Sequence, residues 1–245
     1  MNPRIAGLGL FLALTAIASA GEKRIPDIEY GKSGGESLFL DAAVPAGEGP
    51  FPIAILIHGG GWGSGDKAAD FGALSKPLAD AGFTSFSINY RLAPKHPWPA
   101  CFEDVQAAIR WVRANAASYR GDPRRIAVIG YSAGGQLAAL AAIRADESTR
   151  VQAVVGLAPA VELVADSKRR GEVGPALRNL LGLPEKLDER SLAAIAAISP
   201  AEEIKPGLPP SCWCKGPPIN PCAMSKRLPF SKGSSRPRSP ASSLK

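Results

Sequence analysis

Histidine and cysteine are almost missing from these 245 residues. There are two histidines, His58 and His96, and four cysteines, of which only Cys101 precedes residue 211. One cysteine in the first 210 residues excludes a disulfide framework there. Acidic residues are missing from 211–245 altogether, although that stretch holds seven of the 29 basic residues: Lys215, Lys226, Arg227, Lys232, Arg236, Arg238 and Lys245. The net charge of +7 therefore belongs to the tail, and the first 210 residues carry 22 charges of each sign. A nucleic-acid-binding body has no support from that balance. The chain shows no internal repeat, which excludes a solenoid. With 45% hydrophobic and 21% charged residues it is not collagen-like, wholly disordered or a coiled coil. Its length suits one α/β domain with a real core.

The N-terminus reads as a targeting segment. Met1 to Arg4 is a short positive start, Ile5 to Ala18 is apolar, and Ala18-Ser19-Ala20 offers the small residues a signal peptidase requires. The apolar run is too short to span a bilayer, and no stop-transfer pattern follows. Residues 1–20 are thus expected to be a cleaved signal peptide. The mature chain would begin at Gly21, secreted or periplasmic, without a membrane span, and with no cysteine at the cleavage site to carry a lipid.

The body alternates strand and helix patterns. Strands are expected at Leu38–Val44, Pro52–Ile57, Thr84–Tyr90, Ile126–Ile129 and Val151–Leu157. Helices are expected at Phe71–Ala81, stopped by Gly82, at Phe102–Ala117 with Val105, Ile109, Trp111 and Val112 on one face, and at Ala133–Ile143. Such alternation implies a mostly parallel sheet with helices on both faces. Residues 160–198 hold two weaker helical stretches, expected to lie over the edge where strands end.

Two glycine-rich segments follow predicted strands. Gly130-Tyr131-Ser132-Ala133-Gly134-Gly135 comes after the IAVI strand and opens a helix, the context in which a strained turn thrusts a serine hydroxyl clear of a sheet. A plain glycine turn with a capping serine has the same local composition. The second segment, His58-Gly59-Gly60-Gly61-Trp62, lies 74 residues upstream of Ser132 and ends the PIAILI strand. Backbone without side chains can aim N–H groups at a developing oxyanion, and the expected donors are the amides of Gly60, Gly61 and Ala133. Nucleophile and oxyanion hole together imply acyl transfer. No metal or organic cofactor is implied.

The runs HGGGWGSGDK, NYRLAPKHPWPA, DPRRIAVIGYSAGG and SPAEEIKPGLPP resemble secreted bacterial α/β-hydrolases of the hormone-sensitive-lipase-like carboxylesterase group. The resemblance runs from about Leu38 to Pro210. It implies the α/β-hydrolase fold and hydrolysis of small carboxylic esters through an acyl-enzyme, with Ser132 as nucleophile. It matches His58 to the supporting histidine of the oxyanion loop and places His96 near the substrate entrance. Neither histidine matches the base of the Ser-Asp-His triad.

In this fold the order is serine, acid, histidine, yet no histidine follows Ser132. A serine hydroxyl needs a general base at neutral pH, so no triad acid or base is assigned in this chain. The tail carries eight Ser, six Pro and three Cys in residues 211–245, without strand or helix period. Reading the possible codons from Ser211 two bases on permits an apolar strand, an acid-bearing turn opposite Ile219 and an amphipathic helix. The expectation is a single-base frameshift near codon 210: residues 21–210 form a truncated hydrolase domain, and 211–245 an aberrant or disordered basic tail. Three other readings stand beside this one. The chain is a non-catalytic homologue that keeps the fold, a serine peptidase on the same fold, or the bearer of an authentic tail. Such a tail would bind a surface, or a metal through Cys212, Cys214 and Cys222, for which no fourth ligand is nearby.

Overall fold

In a computed structural model, residues 22–204 and 208–214 are described. The expected signal peptide at 1–20 and the tail beyond residue 214 lie outside them.

The described chain forms a sheet of seven strands flanked by helices. In chain order these are β1 (Lys23–Ser33), β2 (Glu36–Val44), β3 (Phe51–Ile57), α1 (Ala68–Asp80), β4 (Thr84–Ile88) and α2 (Ala100–Asn115). There follow β5 (Gly121–Tyr131), α3 (Ala133–Ile143), β6 (Ala153–Leu157), α4 (Leu163–Arg170), α5 (Pro175–Leu181), α6 (Glu189–Ala196), α7 (Pro200–Glu203) and β7 (Ser211–Cys214). The spatial order is β1-β2-β4-β3-β5-β6-β7; β1 and β2 pair antiparallel, and the strands from β4 to β7 run parallel. This is the mostly parallel sheet that the alternation of patterns implied.

Strand β3 shows why helices cover both faces. Its side chains alternate across the sheet. Ile53, Ile55 and Ile57 join a core with Val105, Ile109 and Val112 of α2 and Leu137 and Leu140 of α3. Leu56, on the opposite face, packs with Leu74 and Leu78 of α1. A strand buried on both sides reads as an unbroken apolar run, as PIAILI does. Each of these isoleucines is fully buried and contributes about 1.5–3 kcal/mol of apolar burial. Helix α3 is buried nearly all round, and its Ala and Gly residues let it approach the sheet closely.

The structure departs from the sequence reading at four places. Strand β1 was not anticipated: its Pro26, its bulge between Ile25 and Ile28, and its largely exposed pattern hide the period, as an edge strand allows. The two-residue turn Gly34-Gly35, with φ 57° and 80°, joins it to β2. Strand β5 extends well beyond Ile126–Ile129, because its first residues, which include Gly121 opposite Phe51, continue the pairing with β3. Residues 160–198 hold three helices rather than two, since Gly171 and Gly182 adopt left-handed conformations that end α4 and α5. Finally, Ser211–Cys214 pairs with β6 in parallel, crossing the expected boundary at Pro210. Sheet pairing is made by backbone groups, so the open edge of β6 accepts a strand that has no strand period of its own.

Candidate active site

Ser132 joins the C-terminal end of β5 to the first turn of α3. Its backbone stands at φ 50°, ψ −113°, a region that residues with a Cβ rarely enter and that costs on the order of 1–3 kcal/mol. The surroundings hold it there. Its N–H donates to the Leu157 carbonyl at 2.9 Å, and its carbonyl accepts from the N–H groups of Gln136 and Ala160, both at 3.2 Å. The two glycines of the motif are required by close approach. A Cβ on Gly130 would lie 2.2 Å from the Gly134 carbonyl oxygen, and one on Gly134 would lie 2.2 Å from that of Ile57. This is the sharp strand-to-helix turn expected of the G-x-S-x-G segment.

The same contacts bring the second glycine segment to the serine. Strands β3 and β5 are parallel neighbours, so the loop after Ile57 emerges beside Ser132. A Cβ built on Gly59 would touch the Ser132 Cβ at 3.4 Å. Gly60, at φ 109°, turns its carbonyl inward to accept from the N–H groups of Gly63 and Ser64, each at 3.1 Å, and from the Ser64 hydroxyl at 3.0 Å. Among the described residues, no hydrogen bond from the N–H of Gly60 or Gly61 is found. Ala133 opens α3, where the first N–H groups lack intrahelical partners and the helix dipole is positive.

His58 supports this loop from behind. Its Nδ1 lies 2.7 Å from the Gly59 carbonyl; since a carbonyl only accepts, Nδ1 carries the hydrogen. Its ring stacks on Tyr90 with centroids 4.2 Å apart, and the Tyr90 hydroxyl donates to the His58 carbonyl at 3.1 Å. His96 is engaged elsewhere. Its Nε2 is 3.2 Å from Glu36, and Lys95 pairs with the same carboxylate. The hydrogen bond from Lys95, with the His96 ring beside it, holds the Glu36 carboxyl below its usual range. Glu36 opens β2, three strand spacings or ~14 Å from β5. His58 thus supports the glycine loop, and His96 lies beside the β1–β2 hairpin.

Several supporting residues escaped the sequence reading although the runs that contain them were singled out. Asn89 Oδ1 accepts from the Lys67 N–H at 2.7 Å, and the Ala93 N–H donates to the Trp62 carbonyl at 2.9 Å. With Tyr90, these make the segment after β4 a platform for the whole loop from His58 to Lys67. Lys67 Nζ reaches Asp41 at 2.6 Å and Asp27 at 2.8 Å. Burial works against its charge, but these hydrogen bonds outweigh it and raise the Lys67 pKa. Arg91 binds Asp104, a buried carboxylate on α2, through Nε at 2.9 Å and Nη2 at 2.8 Å. Trp62 Nε1 donates to Gln136 Oε1 at 3.0 Å. Burial pushes the Cys101 thiol up to about 12, which leaves it inert. Among the described residues no group of three or more His, Cys, Asp or Glu is placed to hold a metal, and Cys222 lies outside them. No helix among them is long and apolar enough to cross a membrane.

Comparison with known proteins gives a consistent picture. The BD-FAE family profile matches residues 40–228. The chain is 33% identical over 215 residues to the esterase LipQ of Mycobacterium tuberculosis, covering 82% of this chain and 50% of LipQ. It is 42% identical over 119 residues to the esterase LipC of the same organism, covering 44% of this chain and 30% of LipC. The chain thus spans half or less of the length of these relatives. Among solved structures, a truncated carbohydrate esterase from gut microbiota superposes with a TM-score of 0.68 at 26% identity, covering 80% of this chain and 78% of that one. Apo esterase 2 of Thermogutta terrifontis gives 0.62 at 30% identity, covering 80% and 71%. The fold is that of the α/β-hydrolases.

Proposed function

Because the chain belongs to the BD-FAE family, we propose that it is a carboxylesterase-type serine hydrolase that attacks small carboxylic esters through Ser132. The observation that carries this reading is the Ser132 backbone at φ 50° on a strand-to-helix turn, with the loop after β3 packed against it. Similarity to esterases supports it.

On this reading Ser132 Oγ attacks the ester carbonyl carbon. The carbonyl oxygen takes the negative charge and is held by the N–H groups of Gly60, Gly61 and Ala133 at the positive end of α3. The intermediate collapses to an acyl-serine with loss of the alcohol, and water then releases the acid. The proton from Oγ must go to a base. His58 and His96 both precede Ser132, so neither occupies the place of the triad base, which follows the serine in this fold. We assign the missing acid and base to sequence displaced by a single-base frameshift near codon 210. A DNA read across codons 200–245 that confirms the printed frame removes that assignment.

The assay is hydrolysis of a chromogenic acetate ester by the chain and by Ser132→Ala. Turnover abolished in the variant supports the ester reading. A flat trace from both supports the second reading, a non-catalytic homologue, which the lack of any histidine after Ser132 favours. Peptide substrates test the remaining alternative of peptidase activity. The charged, apolar and small-residue order at 1–20 supports export to the periplasm or medium, and N-terminal sequencing of exported protein should begin at Gly21.

A further inference from the structure

We infer that Gln136 is a positioning residue that holds the loop after β3 in register with the helix bearing Ser132; this rests on the ester-hydrolysis reading of that serine. Gln136 lies one turn into α3 and is fully buried. Both ends of its amide are engaged: Oε1 accepts from Trp62 Nε1 at 3.0 Å, and Nε2 donates to the Ile198 carbonyl at 2.8 Å. An indole N–H only donates and a backbone carbonyl only accepts, so the amide has one possible orientation.

Trp62 directly follows Gly61. It is buried, and its φ of 60° is a conformation that a bulky side chain adopts only when its surroundings enforce it. Two bonds do so, the indole on Gln136 and the Ala93 N–H on the Trp62 carbonyl. The backbone N–H of Gln136 meanwhile donates to the Ser132 carbonyl. One residue thereby connects the nucleophile's own peptide group, the residue next to Gly61, and the turn between α6 and α7. The donors aimed at one oxyanion come from two separate segments of chain, and their relative placement must hold to a fraction of an ångström. A buried amide satisfied at both ends has a single geometry, which apolar contact alone does not impose.

The test uses the full chain and three variants: Trp62→Phe, which removes the N–H and keeps an aromatic ring, Gln136→Met, which keeps the volume, and the double. A fluorophosphonate probe forms a phosphorus–oxygen bond to Ser132 Oγ with loss of fluoride, and its labelling rate is read by mass spectrometry. Each single variant is expected to label about tenfold more slowly, with kcat for the acetate ester falling in parallel and KM staying within about twofold. The double should be no slower than Gln136→Met alone, because that variant already lacks the Trp62–Gln136 bond together with the bond to Ile198. Amide hydrogen exchange at residues 59–64 and 132–136 should quicken in every variant. A purely structural residue would lower Tm and leave the labelling rate of folded protein unchanged. Labelling within about twofold of the parent in both singles, losses that multiply in the double, or unchanged exchange would each overturn the inference. If the parent chain is itself unlabelled and matches Ser132→Ala, the ester reading fails. The exchange measurement then decides the linkage alone, faster exchange upholding it and unchanged exchange ending it.

Discussion

Gly134 and Ile57 stand so close that a Cβ on the glycine would lie 2.2 Å from the Ile57 carbonyl oxygen. The turn that presents Ser132 and the strand that delivers the glycine loop are thus built directly against one another. Neither can shift without moving the other, because a backbone oxygen at the end of a central strand has nowhere to go.

Gly134→Ala tests that relationship. The added methyl group must push α3 off β3, which should lower stability by about 1–3 kcal/mol as overpacking does. It should also slow Ser132 labelling by a fluorophosphonate more than the stability loss explains. Urea denaturation and labelling kinetics on the same preparation measure both. Wild-type labelling in a destabilised variant would show that the turn does not depend on this contact.

Lys67 carries a second expectation. With Asp41 almost buried, Lys67→Met leaves a carboxylate with the Asp27 N–H at 2.9 Å but no cation beside it. The cost should be about 1–3 kcal/mol in chemical denaturation, at the low end of values for breaking a buried pair because some solvent reaches the site. Adding Asp41→Leu to Lys67→Met should recover part of that loss. A double variant less stable than Lys67→Met would contradict the assignment.

Acid sensitivity follows from two turns. Asp146 is held near about 2 by hydrogen bonds from the Ser148 and Thr149 hydroxyls and the Thr149 N–H. Asp122 is held near about 2 by the Arg124 N–H and then by the Arg124 and Arg125 side chains. Both values lie below the ~3.9 of an unfolded aspartate. The stability they contribute is fully present above that unfolded value and is lost as pH falls through the folded one. Tm should therefore decline between about pH 4 and pH 2. Asp146→Asn should start lower at neutral pH and decline less steeply over that window, as thermal melts in a pH series will reveal.

Ile55 is the centre of the larger core and fully buried. Ile55→Ala should cost about 2–5 kcal/mol through lost burial and the cavity left behind. Ile204→Ala, at an exposed position, should change stability by less than about 0.5 kcal/mol. Equal effects at the two sites would mean that the sheet does not pack as described.

Much of the architecture was legible because its strands are buried on both faces and its helices carry a regular apolar stripe. PIAILI, TSFSI and IAVI announce themselves without reference to any partner. The first hairpin was not legible: β1 is an edge strand whose KRIPDIEYGKS shows no clean alternation, and its pairing partner supplies the order. At the site, Ser132 and the glycines of both motifs were readable, since a tight turn demands small residues locally. Tyr90, Gln136 and Lys67 were not, because their partners lie 32, 74 and 26 residues away in the chain. Ser211–Cys214 was also hidden, its strand conformation coming from the open edge of β6.

Local chemistry, then, was determined by the sequence alone: which segments buried on both faces are strands, which carry a helical period, where glycine permits a turn, and which hydroxyl such a turn would present. Those properties depend on neighbours within a few residues, and the amino-acid order states them directly. Tertiary structure decided what each polar group is bonded to. It committed His58 to Gly59 and Tyr90, His96 to Glu36, and the Gln136 amide to Trp62 and Ile198. Hydrogen bonds require atoms within about 3 Å, and only the packing of distant segments brings such atoms together.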